Sequence, residues 1–528
     1  MKKMKKIILL LITIITVMSC SNNEQELKRI TFTSTSEEAK DMLNQFLLNR
    51  ENEDDWDFDA EKGVLDSVLK IDPEFFMAKA FNNFGTRDEN RENIISAYEN
   101  IDKVNNIEAG IIKSIYEQRI NGNRVKQDKI IDDLISKNPD YWQLKIISGD
   151  IKNELQDAEG SQKRWEEALV LNPKSYEALR NLAFLHFPTG QFTMLPIESR
   201  KLETAENYLQ KIREIYPKSS RPDRYLGNIY RQKNELDQAL SAYQRSQSMI
   251  KNTETRQYRN GLLMLGHTYT FQGDLEKARL KYIEAKEKAQ KNKDYQWTVL
   301  FANYLSHTFF YEKDFAGAVN ILNEIQTEIQ SFDEDDLTKN RRSDYVEFRK
   351  FLAFAHSQKK EETLASISAR NELRQIRSEL LIKNAIDDKE KERIDLNRIL
   401  GETGSDIWYN ILFGNYEKAR GLLEEFSVMS AKRLSYSPNA LDDYFKFSGY
   451  LNLMEGKPQD AIDSYARVSS TNLDDDNYHL YFLALANKAA GNIDESSEML
   501  ESLAGNNFAT WQNAIVKNLA KSQTISNL

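Results

Sequence analysis

The chain has 528 residues, a formal net charge of −10 and one cysteine. That acidic balance argues against nonspecific nucleic-acid binding, which needs a basic footprint, and a single thiol rules out an internal disulfide framework. Glycine (20) and proline (9) are both scarce, against a loop-rich or all-β chain, whose turns consume those residues.

Residues 1–20 stand apart. Lys2, Lys3, Lys5 and Lys6 precede an apolar run at 7–17 that leads into Val17-Met18-Ser19-Cys20. A basic stretch followed by a short apolar one predicts a secretory signal, and the run is too short to span a membrane stably. Cys20 at the expected cleavage point makes the segment a lipobox, with the cysteine acylated (palmitate among its chains) as the first residue of the mature protein. Residues 21–34 follow as a polar tether, with an extended lead-in at 26–34. Ser21, rather than an aspartate, follows Cys20. In this the segment resembles lipoproteins of Gram-negative bacteria sorted to the outer membrane, and the expected location is the cell envelope.

From residue 35 the apolar residues recur at helical spacing. Gly227, Gly266 and Ser306 each stand twelve residues before an alanine, Ala239, Ala278 and Ala318. A large apolar residue follows each alanine by four: Tyr243, Tyr282 and Leu322. Ala205 keeps the alanine mark, but an insertion at 187–204 separates the halves of its unit. Within Leu226-Gly227-x-x-Tyr230 the steps place all three residues on one helix face. Neither helix of such a pair buries its stripe alone, so hairpins must stack. The register runs through 35–325. It is lost over 326–404, a possible hinge with long charged helices and the acidic run Asp333-Glu334-Asp335-Asp336, which lacks the glycine of a calcium loop and reads as a solvated turn. It returns over 405–528 with Gly414-Asn415-Tyr416 and Gly456-Lys457-Pro458, and a helix near 508–520 closes the last repeat.

The Leu-Gly-x-x-Tyr and Ala-x-x-x-Tyr sets, and the prolines of Leu171-Asn172-Pro173 and Ile215-Tyr216-Pro217, resemble the tetratricopeptide repeat family. Pro139 to Pro173 and Ala205 to Ala239 both match its 34-residue period. The resemblance implies an all-α, right-handed superhelical solenoid of helical hairpins, of the kind that binds proteins or peptides.

The chain has no metalloprotease helix motif, phosphate-cradling glycine loop or nucleophile elbow, so no catalytic residue, metal or cofactor is assigned. His186 and His356 fall where the repeat places an aromatic ring, and are expected between helices. The face opposite the packing stripe is the candidate binding surface. It carries Arg180 and Phe184, then Arg221, Arg224, Asn228 and Arg231, then Asn260 and His267, then Asn303, His307 and Phe310. Its arginines suit carboxylates of an extended peptide. Arg224 and Asn228 coincide with two positions of the family's carboxylate clamp, whereas Met264, Leu300 and Tyr304 stand where that clamp needs polar or basic groups.

The expected function is a membrane-anchored, non-enzymatic scaffold that binds a protein or extended peptide in its groove. The alternatives are a glycan- or nutrient-binding outer-membrane lipoprotein on a similar scaffold, and an enzyme using residues 187–204 or 326–404. Replacing Cys20 by alanine is expected to move the protein from the membrane to the soluble fraction and to abolish labelling by a palmitate analogue. Persistent labelling would remove the lipobox.

Overall fold

The computed structural model describes residues 27–525 apart from 53–57, 188–194, 197–198, 384, 386, 435–436 and 475. Cys20, the rest of the signal and most of the insertion therefore lie outside the described residues. Among the described residues there are helices and no strand.

The chain forms two compact units, Met1–Ile229 and Tyr230–Leu528. In the first, the helices are α1 (Glu37–Asn52), α2 (Phe58–Ile71), α3 (Phe76–Phe81), α4 (Arg87–Glu99), α5 (Asn106–Arg119), α6 (Arg124–Lys137), α7 (Trp142–Glu154), α8 (Ala158–Leu171), α9 (Tyr176–Leu185) and α10 (Leu202–Ile215). The boundary falls within α11 (Arg221–Gln232). The second unit continues with α12 (Leu236–Met249), α13 (Arg256–Gln272), α14 (Leu275–Lys291), α15 (Tyr295–Glu312), α16 (Phe315–Gln330), α17 (Asp336–His356), α18 (Lys360–Ile382) and α19 (Asp388–Leu412). It ends with α20 (Tyr416–Ala431), α21 (Asp442–Met454), α22 (Pro458–Tyr465), the short α23 (Ser470–Leu473), α24 (Asn477–Ala490), α25 (Ile493–Gly505) and α26 (Trp511–Ile525).

Hairpins form where the sequence places its stripes. Ala205, Ala239, Ala278 and Ala318 are all fully buried. The small residue of a first helix receives the ring of the second. Gly149 lies against the Trp165 indole and Gly266 against the Tyr282 ring, and a Cβ on Gly449 would stand 2.7 Å from Tyr465 Cε2. Each ring follows its glycine by sixteen residues. The turn between helices also repeats. Gly273 and Gly456 take left-handed φ angles of 84° and 74°, and Lys313 occupies the same place at 58°. After Gly273 and Lys313 an aspartate caps the second helix, as Asp314 does by accepting the Gly317 N–H at 2.9 Å, whereas Lys457 after Gly456 makes no side-chain cap.

The compact units divide inside α11, and across 326–404 the helices α16 to α19 pack each on the next as part of the second unit. The described part of the tether, residues 27–34, is not free. The Thr33 N–H donates to Glu108 (3.0 Å), Asn105 Nδ2 donates to the Thr31 carbonyl (2.9 Å) and Arg29 pairs with Glu51 (2.9 Å). Helix α26 packs on α25 and also lies along α15.

Gly266→Ala is expected to lower stability by about 1–3 kcal/mol, because the added methyl must displace the buried Tyr282 ring. A thermal melt followed by circular dichroism tests this, and an unchanged midpoint would contradict the ring-over-glycine account.

Candidate binding site

First helices of successive hairpins bring side chains to one cavity in the first unit, of about 1000 Å³. Ile111 comes from α5, Trp142, Ile146, Ile147 and Asp150 from α7, Glu177 and Arg180 from α9, and Arg221 from α11. The cavity is closed by the chain's own beginning, with Arg29 to Phe32 and Lys40, Leu47, Arg50 and Glu51 of α1. Helix α1 reaches α9 directly. The lining combines apolar side chains such as Ile111, Trp142 and Ile146 with nine charged ones, a more polar mixture than ligand sites usually have.

Its polar groups are linked to the packing. Asp150 accepts the indole N–H of Trp165 (3.2 Å), the same ring that covers Gly149, and the amide of Asn181 (3.0 Å). Asn181 Oδ1 in turn accepts Arg180 Nε (3.1 Å). Arg180 NH2 lies 3.8 Å from Glu177. Burial pushes the Asp150 carboxyl up to about 7 against the opposing indole hydrogen bond. Burial, and then the charges of Asp150 and Glu51, push Glu177 up to about 8. Glu51 is raised by burial as well, with Arg29 opposing the rise.

Beside Arg180 the site gathers more cations. The Arg224 guanidinium sits 4.9 Å from the centre of the Tyr225 ring and donates to its hydroxyl at 3.1 Å. Burial alone would raise the Tyr225 phenol, but the charges of Arg224, Arg180 and Arg221 outweigh it and bring it below its ordinary value. This part of the unit is poised to stabilise negative charge.

Residues 226–255 match the tetratricopeptide repeat. The match covers α12, most of α11 and the turn between them, and its Leu226, Ala239 and Tyr243 are buried as the repeat's stripe requires. No protein with a curated description matches the sequence. The solved structure of MamA is 18% identical, covers 33% of this chain and 94% of its own, and superposes with a TM-score of 0.28.

The candidate residues lie on α9, α11, α13 and α15 and are not all in the open. Arg180 and Arg221 line the cavity, while Phe184, Arg224 and Asn228 are half-buried near it in sequence. Phe184 packs edge-on against Tyr225 with centroids 4.9 Å apart. Asn260 is half-buried in the second unit. Arg231, His267, Asn303, His307 and Phe310 are buried, which corrects the expectation of a solvent-facing strip. The chain itself supplies part of the cover. Ala514 joins Phe310 and Phe351 in one apolar cluster, Asn518 Nδ2 donates to the Tyr311 carbonyl (3.0 Å), and Asn507 Nδ2 donates to the Arg231 carbonyl (2.9 Å). Sequence reasoning missed Asp150, Arg29, Lys40, Arg50 and Glu51, because nothing local signals that α1 returns over the first helices of later hairpins.

A pH dependence follows from the two raised carboxyls. Between about pH 4 and pH 8 the folded chain holds protons that the unfolded chain has released, so stability falls as pH rises through this window. The contribution is fully present below the window and lost above it. Urea midpoints measured from pH 4 to 8 are expected to decline in the parent and to decline less in an Asp150→Asn, Glu177→Gln double variant. Parallel profiles would contradict the assignment.

Proposed function

We propose that this chain is a non-catalytic scaffold, tethered to a membrane through Cys20, which binds an extended acidic segment of a protein partner in the cavity of its first unit. One observation carries the reading. Successive first helices line one cavity with both apolar side chains and arginines. Stacked hairpins present residues in a line, which suits an extended chain better than a compact solute.

Charge favours an acidic segment. With Glu177 largely protonated near neutrality and Asp150 partly so, Arg29, Lys40, Arg50, Arg180 and Arg221 outweigh the ionised carboxylates of the lining. Bidentate arginine–carboxylate bonds would orient the segment, and the apolar part of the lining would receive its side chains. The tetratricopeptide match supports an interaction scaffold in general terms.

A photo-crosslinking amino acid at Ile147, in the cavity, tests this in living cells. It is expected to trap a discrete partner, whereas the same probe at Val170, 81% exposed on α8, should not. Arg180→Glu with Arg221→Glu should abolish the Ile147 product. Equal trapping from both positions, or a product indifferent to the charge reversal, would overturn the reading.

A further inference from the structure

Arginine stays charged at any ordinary pH, so burying one without a counter-ion costs several kcal/mol. Part of the second unit obeys this constraint. Buried Arg259 pairs with Asp294 at 2.7 Å, and Arg370 and Arg377 share Asp344 at 3.0 and 2.9 Å.

Three buried arginines lack such a partner, and one of them, Arg374, donates instead to Asn371 Oδ1 (2.8 Å) and Ser405 Oγ (3.0 Å). The other two have no comparable side-chain oxygen. Arg231 is 4% exposed and Arg349 6% exposed, and neither has a carboxylate within ion-pair distance among the described residues. Arg231 reaches only the sulfur of Met264, at 3.8 Å. Arg349 donates to the Tyr345 carbonyl (3.2 Å) and lies 3.6 Å from the centre of that residue's ring. The Nε–H of each is buried without an acceptor.

Met264, which Arg231 reaches, packs against the same apolar cluster as Tyr304. Tyr304 stands between His267 and His307, with ring centroids at 4.6 and 5.7 Å. Both arginines act on the Tyr304 hydroxyl through their charge, opposing the upward push of burial. Around it, both ring nitrogens of His307, the Tyr311 hydroxyl and Asn303 Oδ1 are buried without partners. Burial first, and Arg349 second, hold His307 neutral, so its ring offers an N–H donor without further charge.

We propose that the second unit contains a buried binding site for a phosphate-class oxyanion, held between Arg231 and Arg349 with His307 and Tyr311 as further donors. A tetrahedral dianion offsets both positive charges and offers acceptors for all four donor side chains, whereas a lone carboxylate offsets one charge and has fewer oxygens. The site is independent of what the first unit binds.

Titration calorimetry of the full chain tests this, with inorganic phosphate, glycerol 3-phosphate and acetate at matched ionic strength. Saturable binding of either phosphate compound, with acetate silent, is expected, and a preference between the two distinguishes a free ion from an ester headgroup. Arg231→Gln and Arg349→Gln should each weaken binding by about tenfold or more, with helix content by circular dichroism unchanged. An equal response to acetate, no saturable binding, or binding indifferent to both variants would overturn the site. Should a variant not fold, crystals of the unmodified chain soaked in selenate give a second reading. An anomalous peak between the two guanidinium groups is expected, and its absence there counts against the proposal.

Discussion

The contact on which this architecture rests is a large ring seated over a residue with little or no side chain. Gly149 with Trp165, Gly266 with Tyr282 and Gly449 with Tyr465 repeat it at constant spacing. Removing a side chain from the first helix lets the second approach closely, and the ring fills the space so gained. At Gly273 and Lys313 the left-handed turn residue and the aspartate after it then fix where the second helix starts. Packing of this kind leaves the opposite face of each first helix unconstrained by the repeat. In the first unit the two faces are joined chemically, because the indole that covers Gly149 also donates to Asp150 of the cavity lining.

Buried charge is what distinguishes the interior of each unit. In the first, carboxyls and arginines line one cavity together, and burial keeps two of the acids partly or largely protonated near neutrality. In the second, buried Arg259 has an aspartate partner and Arg374 has side-chain oxygens of Asn371 and Ser405, whereas Arg231 and Arg349 have neither. The cost of burying a guanidinium without a carboxylate or side-chain oxygen gives meaning to those two.

The helical hairpins were legible in the sequence because they depend on short-range spacing. Ala278 and Tyr282 sit four apart on one face wherever the helix goes, and their burial follows. Candidate residues were legible only in part. Arg180 and Arg221 reach the cavity because they occupy equivalent faces of α9 and α11. His307 and Phe310 obey the same geometry, yet they are covered, since α26 returns from the chain's far end to lie on α15. Likewise, Glu51 and Arg50 enter the first unit's cavity only because α1 crosses to α9. No periodicity within either segment encodes these returns.

The sequence by itself determined the all-helical hairpin array, the residues that pack it and the faces left free of packing, since each depends on residues within one repeat. Tertiary structure alone decided which free faces stay open and which are closed, where the compact units divide, and which arginines acquire a counter-ion. Those outcomes rest on contacts between segments hundreds of residues apart, such as Asn507 on the Arg231 carbonyl. Local spacing constrains a residue's direction on its own helix, not what arrives to meet it.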